Sequence, residues 1–136
     1  MEINFEITNI PAIEQKKCMI AYLEGVLRIS IGDNLFFNQP SILLVEFAIC
    51  ISRWLNKIHS GELSDLIYET MDYDEPIITI IHVNNTYFKI DSVWKEEGAL
   101  PLIIKLNELI SAFLKFLTSL SKKLKLKYAI SLNEFI

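Results

Sequence analysis

Apolar and polar residues alternate from the first positions of the chain, with Ile3, Phe5 and Ile7 standing between Glu2, Asn4, Glu6 and Thr8. A period of two with one wet face predicts a strand over about residues 2–8. The run from Cys18 to Ile31 is rich in Ile, Val, Leu and Tyr and is interrupted at Glu24-Gly25, where glycine admits a turn or a bulge. It reads as two short strands or one long bent strand, closed by the turn residues Gly32-Asp33-Asn34. Near residue 40 the apolar period lengthens to about three and a half. Asn38-Gln39-Pro40-Ser41 carries a helix-start signal with proline near the first turn, so a helix is expected from Pro40 to His59. Its apolar side carries Leu43, Phe47, Cys50, Trp54 and Ile58, opposite a narrow polar stripe of Glu46, Arg53 and Lys57 with Asn56 beside it.

Three strand-like runs follow, at about residues 65–71, 76–83 and 86–94. Ile77, Ile78, Ile80, Ile81 and Val83 load both faces of the middle run, which predicts an interior strand covered on both sides for part of its length. Phe88, Ile90 and Trp94 share one face of the next, and Tyr87, Lys89, Asp91 and Lys95 the wet one. Asn84-Asn85 predicts a hairpin turn between them, because Asn tolerates left-handed backbone. A long amphipathic helix is expected from Leu100 to Lys125, with Pro101 in its first turn and an apolar stripe of Leu102, Leu106, Leu109, Phe113, Leu117, Leu120 and Leu124. Tyr128 to Leu132 reads as a short edge strand. These elements predict one α+β domain over residues 1–136. A mainly antiparallel sheet of five or six strands carries two long helices packed chiefly on one face.

Composition narrows the function classes. Apolar residues make up 51% of the 136 and charged residues 22%, enough for one core and too apolar for a disordered chain. The net charge of -4 has the wrong sign for a nucleic-acid binder. Cys18 and Cys50 are too few for a disulfide scaffold and lie in apolar runs, as small buried thiols do. Met1-Glu2-Ile3-Asn4 does not lead a basic region into a long apolar stretch, so a cytoplasmic chain without signal peptide is expected. The apolar run around Ile42 to Ile51 contains Glu46 and falls short of the roughly 20 residues of a membrane span.

Catalytic chemistry leaves no signature. His59 and His82 stand apart, the cysteines have no paired ligand, and the four glycines fit no phosphate loop. No metal, cofactor or enzymatic role is therefore expected, and His82 reads as a satisfied sheet residue rather than a base. Charge, by contrast, is unevenly spread: residues 60–97 hold nine acidic side chains against two lysines, and residues 100–136 six lysines against two glutamates. An outward acidic surface over Tyr68, Glu69, Asp72, Tyr73, Asp74 and Glu75 would suit a basic protein partner, with charge steering association and aromatic rings as anchors. The bland alternative is neutralisation by the lysines of the last helix. A rival of another class is a small-molecule binder or enzyme with a pocket between sheet and helices, where Tyr22, Trp54, His82 and Trp94 would converge. A third reading is a homodimer through leftover apolar surface at Ile42 and Ile49.

Several short stretches add a resemblance that spans most of the chain. Tyr22-Leu23-Glu24-Gly25, the helix from Leu44-Val45-Glu46-Phe47 to Trp54-Leu55, Tyr68-Glu69-Thr70-Met71-Asp72, and Ser92-Val93-Trp94 ahead of a long C-terminal helix are similar to those of small bacterial α+β proteins of uncharacterised families. Some of these resemble immunity proteins of polymorphic or contact-dependent toxin systems. The resemblance implies a cytoplasmic antitoxin that binds one cognate toxin by protein–protein contact, and it transfers no catalytic residue. Immunity proteins adopt many unrelated folds, so architecture alone does not decide the matter.

Overall fold

Strands β1 (Glu2–Asn9), β2 (Glu24–Ile31) and β3 (Asn34–Leu43) pair antiparallel in that order. The computed structural model describes residues 1–11, 22–70 and 73–136. The expectations placed on residues 12–21, Cys18 among them, and on Met71 and Asp72 lie outside the described residues. From Glu24 onward the apolar run is one strand. Gly25 sits inside it because β1 and the following helix approach too closely for a side chain: an added Cβ would meet the Glu6 carbonyl oxygen and Leu44 Cδ1.

β3 departs from the sequence expectation. Pro40 lies in this strand, not in a helix. β3 is an edge, and its register against β2 shifts between Gly25↔Ile42 and Leu27↔Gln39, so the proline falls at a bulge where its missing N–H costs no ladder bond. Helix α1 (Leu44–His59) follows without a break and without a side-chain cap. Leu44 N–H donates instead to the Leu23 carbonyl at 3.1 Å.

The second sheet contains β4 (Leu66–Tyr68), β5 (Ile78–His82), β6 (Tyr87–Ser92) and β7 (Leu102–Lys105), antiparallel and in that order. The described residues thus form seven strands in two sheets, where one sheet of five or six was expected. Lys95 bridges to Phe37, and Glu96 N–H donates to the Phe36 carbonyl at 2.8 Å, tying the sheets together. The β5–β6 hairpin forms as expected but by different chemistry. Asn84 Oδ1 accepts the N–H groups of Thr86 and Tyr87, each at 2.9 Å, and neither Asn84 nor Asn85 adopts a positive φ.

Pro101 precedes β7 rather than starting a helix. In β7, Ile104 is buried while Ile103 is exposed, the alternation of a strand with one open face. Helix α2 (Leu106–Tyr128) then begins as α1 does, its first N–H donating to a neighbouring carbonyl, that of Thr86 at 2.8 Å. The expected edge strand at Tyr128–Leu132 is absent. Ala129, at φ 54, ends α2 in a left-handed turn in which Ile130 N–H returns to the Leu124 carbonyl, and a 3₁₀ turn follows at Leu132–Glu134.

Both helices cover the inner faces of the sheets. Phe5 of β1 meets Phe116 of α2, Phe116 meets Phe47 of α1, and Phe47 meets Tyr68 of β4, with centroids 5.0–5.6 Å apart at steep angles. Trp54 of α1 joins Phe88 of β6 and Phe113 of α2 in the same way. The result is one α+β domain. β5 is interior to its sheet, as expected, but it is covered on one face only: Ile81 is 44% exposed, and Val83, just past the strand, 56%. No helix among the described residues is long and apolar enough to cross a membrane.

Candidate functional site

The acidic stretch divides at Tyr68. Leu66 and Tyr68 alternate inward along β4, so the Tyr68 ring belongs to the core, with 1% exposure, and offers nothing to a partner. This corrects the expectation of an outward anchor there. Burial, and then the neighbouring Glu46 carboxylate on α1, push its phenol far above the ordinary tyrosine range. Glu69, Tyr73, Asp74 and Glu75 do lie at the surface. None of these carboxylates forms an ion pair with any described residue, and the lysines of α2 do not neutralise them. Asp72 lies outside the described residues.

Two contacts set the position of the 73–75 segment. Tyr73 packs against Trp94, ring centroids 5.0 Å apart, at the end of β6. Just behind, the buried Ser92 hydroxyl donates to the Ile77 carbonyl at 2.6 Å and accepts from Trp94 N–H at 3.0 Å, fixing the start of β5 to the chain that carries the indole. Lys95 is occupied by Asp91 at 3.1 Å. The outcome is a lip on which Asp74 and Glu75 follow directly on a ring held against Trp94, with Glu69 at the surface just past the end of β4 and a satisfied buried hydroxyl fixing the chain nearby.

The four residues of the rival pocket do not meet. Trp54 is 3% exposed and donates its indole N–H to the Ser64 carbonyl at 2.8 Å. His82 ends β5 at the surface, where Asp65 Oδ1 accepts its backbone N–H at 2.9 Å and lies 2.6 Å from its Nδ1. Trp94 packs with Tyr73, and Tyr22 is exposed beside β1, its carbonyl accepting from Asn9. Each has its own structural partner among the described residues. Burial tends to raise the Asp65 carboxyl, but the hydrogen bonds and charge of His82 outweigh it and hold the group below its ordinary value. The surface expected for a homodimer is also missing at Ile42, which belongs to the core at 2% exposure.

A concave site lies elsewhere. An open groove of about 490 Å³ runs between α1 and β4, lined by Glu46, Ile49, Cys50, Arg53 and Lys57 on one side and by Asp65, Ile67 and Glu69 on the other. The polar stripe of α1 signals it in the sequence, since Glu46, Arg53 and Lys57 on an otherwise apolar helix must reach an opening. Cys50 Sγ donates across the groove to the Ile67 carbonyl at 3.6 Å. Burial pushes this thiol up to about 11, with Arg53 opposing the rise and Glu46 and Glu69 adding to it, so it is a poor nucleophile.

Over residues 1–126 the sequence matches the family described as Domain of unknown function (DUF7878), and the chain belongs to that family. No curated protein and no solved structure matches it.

Proposed function

We propose, as the role of this DUF7878 chain, non-enzymatic binding of a basic protein on the lip formed by Glu69, Tyr73, Asp74 and Glu75. The observation that carries the reading is that these carboxylates are exposed without ion pairs to described residues, Asp74 and Glu75 directly following a tyrosine ring already held in place by Trp94. Like charges gathered on one rim raise the association rate of an oppositely charged partner, and a pre-positioned ring supplies contact area at little entropic cost. On the resemblance described above, the partner is a cognate bacterial toxin, which this chain neutralises in the cytoplasm as an immunity protein.

Co-expression with each protein encoded beside its gene tests the proposal. A toxic neighbour whose toxicity is relieved by the wild-type chain, and which co-purifies with it, is the expected result. Asp74→Lys with Glu75→Lys should weaken that capture by roughly tenfold or more while leaving the fold intact. Equal capture by wild type and the doubly reversed variant would remove the lip from consideration.

A further inference from the structure

The α1–β4 groove lies apart from the lip, sharing only Glu69 with it. β4 is the terminal strand of its sheet, and its backbone is split between two directions. Ile77 N–H donates to the Tyr68 carbonyl, and Leu66 pairs with Ile80, so these two residues of β4 turn their peptide groups toward β5. Ile67, between them, has its peptide groups on the opposite edge by the alternation of an antiparallel strand, and its carbonyl faces the groove, where among the described residues it meets the weak thiol donor of Cys50. An outward-facing peptide group beside a helix wall is a site where an extended chain can add as a further strand.

Charge along the groove is sorted by end. α1 and β4 run in opposite directions, since Trp54 reaches Ser64 and Cys50 reaches Ile67. Glu46 and Glu69 therefore mark one end, and Arg53 and Lys57 the other. Arg53 and Lys57 are exposed and form no ion pair among the described residues, whereas Asp65, near them, is engaged by His82. Five extended residues span about 13 Å between first and last Cα, close to the length of β4 with its two flanking acidic residues. The stretch of α1 from Glu46 to Lys57 is about 16 Å long, so both walls match one short strand.

We propose that this groove binds an extended peptide antiparallel to β4, with a basic side chain toward the peptide's amino end and an acidic one toward its carboxyl end. Antiparallel addition places the amino end beside Glu69 and the carboxyl end beside Arg53 and Lys57. The peptide backbone bonds Ile67 N–H and C=O, displacing the Cys50 contact. Apart from Glu69 this site does not use the lip, and reversal of Asp74 and Glu75 leaves it unchanged.

The test titrates the isotopically labelled full chain, by nuclear magnetic resonance, with a capped heptapeptide carrying lysine near its amino end, glutamate near its carboxyl end and valine and threonine between. Saturable shifts confined to residues 46–57 and 65–69 are expected. A peptide with the two charges exchanged should bind roughly tenfold more weakly, and Arg53→Glu with Lys57→Glu should abolish that preference. Ile67→Pro, tolerated on an edge strand, removes the outward donor and should weaken binding by a similar factor. Absence of saturable shifts at millimolar peptide, shifts centred elsewhere, or equal affinity for the two charge orders overturns the proposal.

Discussion

Tyr73 packs on Trp94 with their ring planes inclined at 56°, and this contact joins the acidic segment before β5 to the chain leaving β6. The pair fixes where Asp74 and Glu75, which follow Tyr73 directly, stand. Trp94→Ala should therefore loosen the lip without unfolding the domain. The aromatic pair is worth about 1 kcal/mol beyond the area it covers. Amide hydrogen exchange at residues 73–76 should accelerate in the variant, while exchange in α1 and α2 stays close to wild type. Unchanged exchange at 73–76 would show that the ring does not hold the segment.

Gly25 predicts a larger effect from a smaller change. Its absent side chain lets β1 and the start of α1 close on β2, with the Glu6 backbone and Leu44 occupying the space. Gly25→Ala should cost on the order of 1–3 kcal/mol by overpacking, a fall of roughly 5–10 °C in thermal midpoint for a domain of this size. Gly61→Ala is the control, since open space surrounds Gly61 and only its φ of +89 resists a side chain. Thermal unfolding of both variants distinguishes close approach from backbone strain.

Asp65 makes the stability depend on pH in a defined direction. Its carboxyl is held below the ordinary value by His82, against the opposing effect of burial. A carboxyl whose pKa falls on folding contributes stability above its unfolded value, about 3.9, and loses that contribution as pH falls through the folded value. Asp65→Asn should accordingly be less stable than wild type at pH 6, and the gap should close below about pH 4. Urea unfolding at the two pH values measures it. A gap that persists undiminished in acid would place the effect in packing rather than in charge.

Periodicity made part of this molecule legible. β1, α1, the β5–β6 hairpin and most of α2 follow from apolar spacing, because each buries one continuous face. β3 and β7 did not, for one shared reason. Pro40 and Pro101 each stand a few residues before a helix, where proline ordinarily marks the first turn, yet Pro40 lies inside β3 and Pro101 just ahead of β7, strands that lead directly into the helices. The helix starts are satisfied by the Leu23 and Thr86 carbonyls, long-range partners that leave no local capping signal. The exposed lip residues could be read from composition. Tyr68 could not, since a three-residue strand is too short to show which of its faces turns inward. The groove was half visible, as the polar stripe of α1, but its other wall depends on where β4 falls.

The claim on which the functional reading rests is that the carboxylates of the lip engage a basic protein. Quantitative mass spectrometry of proteins retained from a lysate of the source cell, by immobilised wild type and by the Asp74→Lys, Glu75→Lys variant, tests it most directly. The account predicts a basic protein enriched on the wild type, depleted on the variant and released as salt is raised, since rim charge pairs are screened within about 10 Å at 0.1 M ionic strength. Identical sets of proteins retained by the two, or a retained partner indifferent to salt and charge reversal, would contradict it.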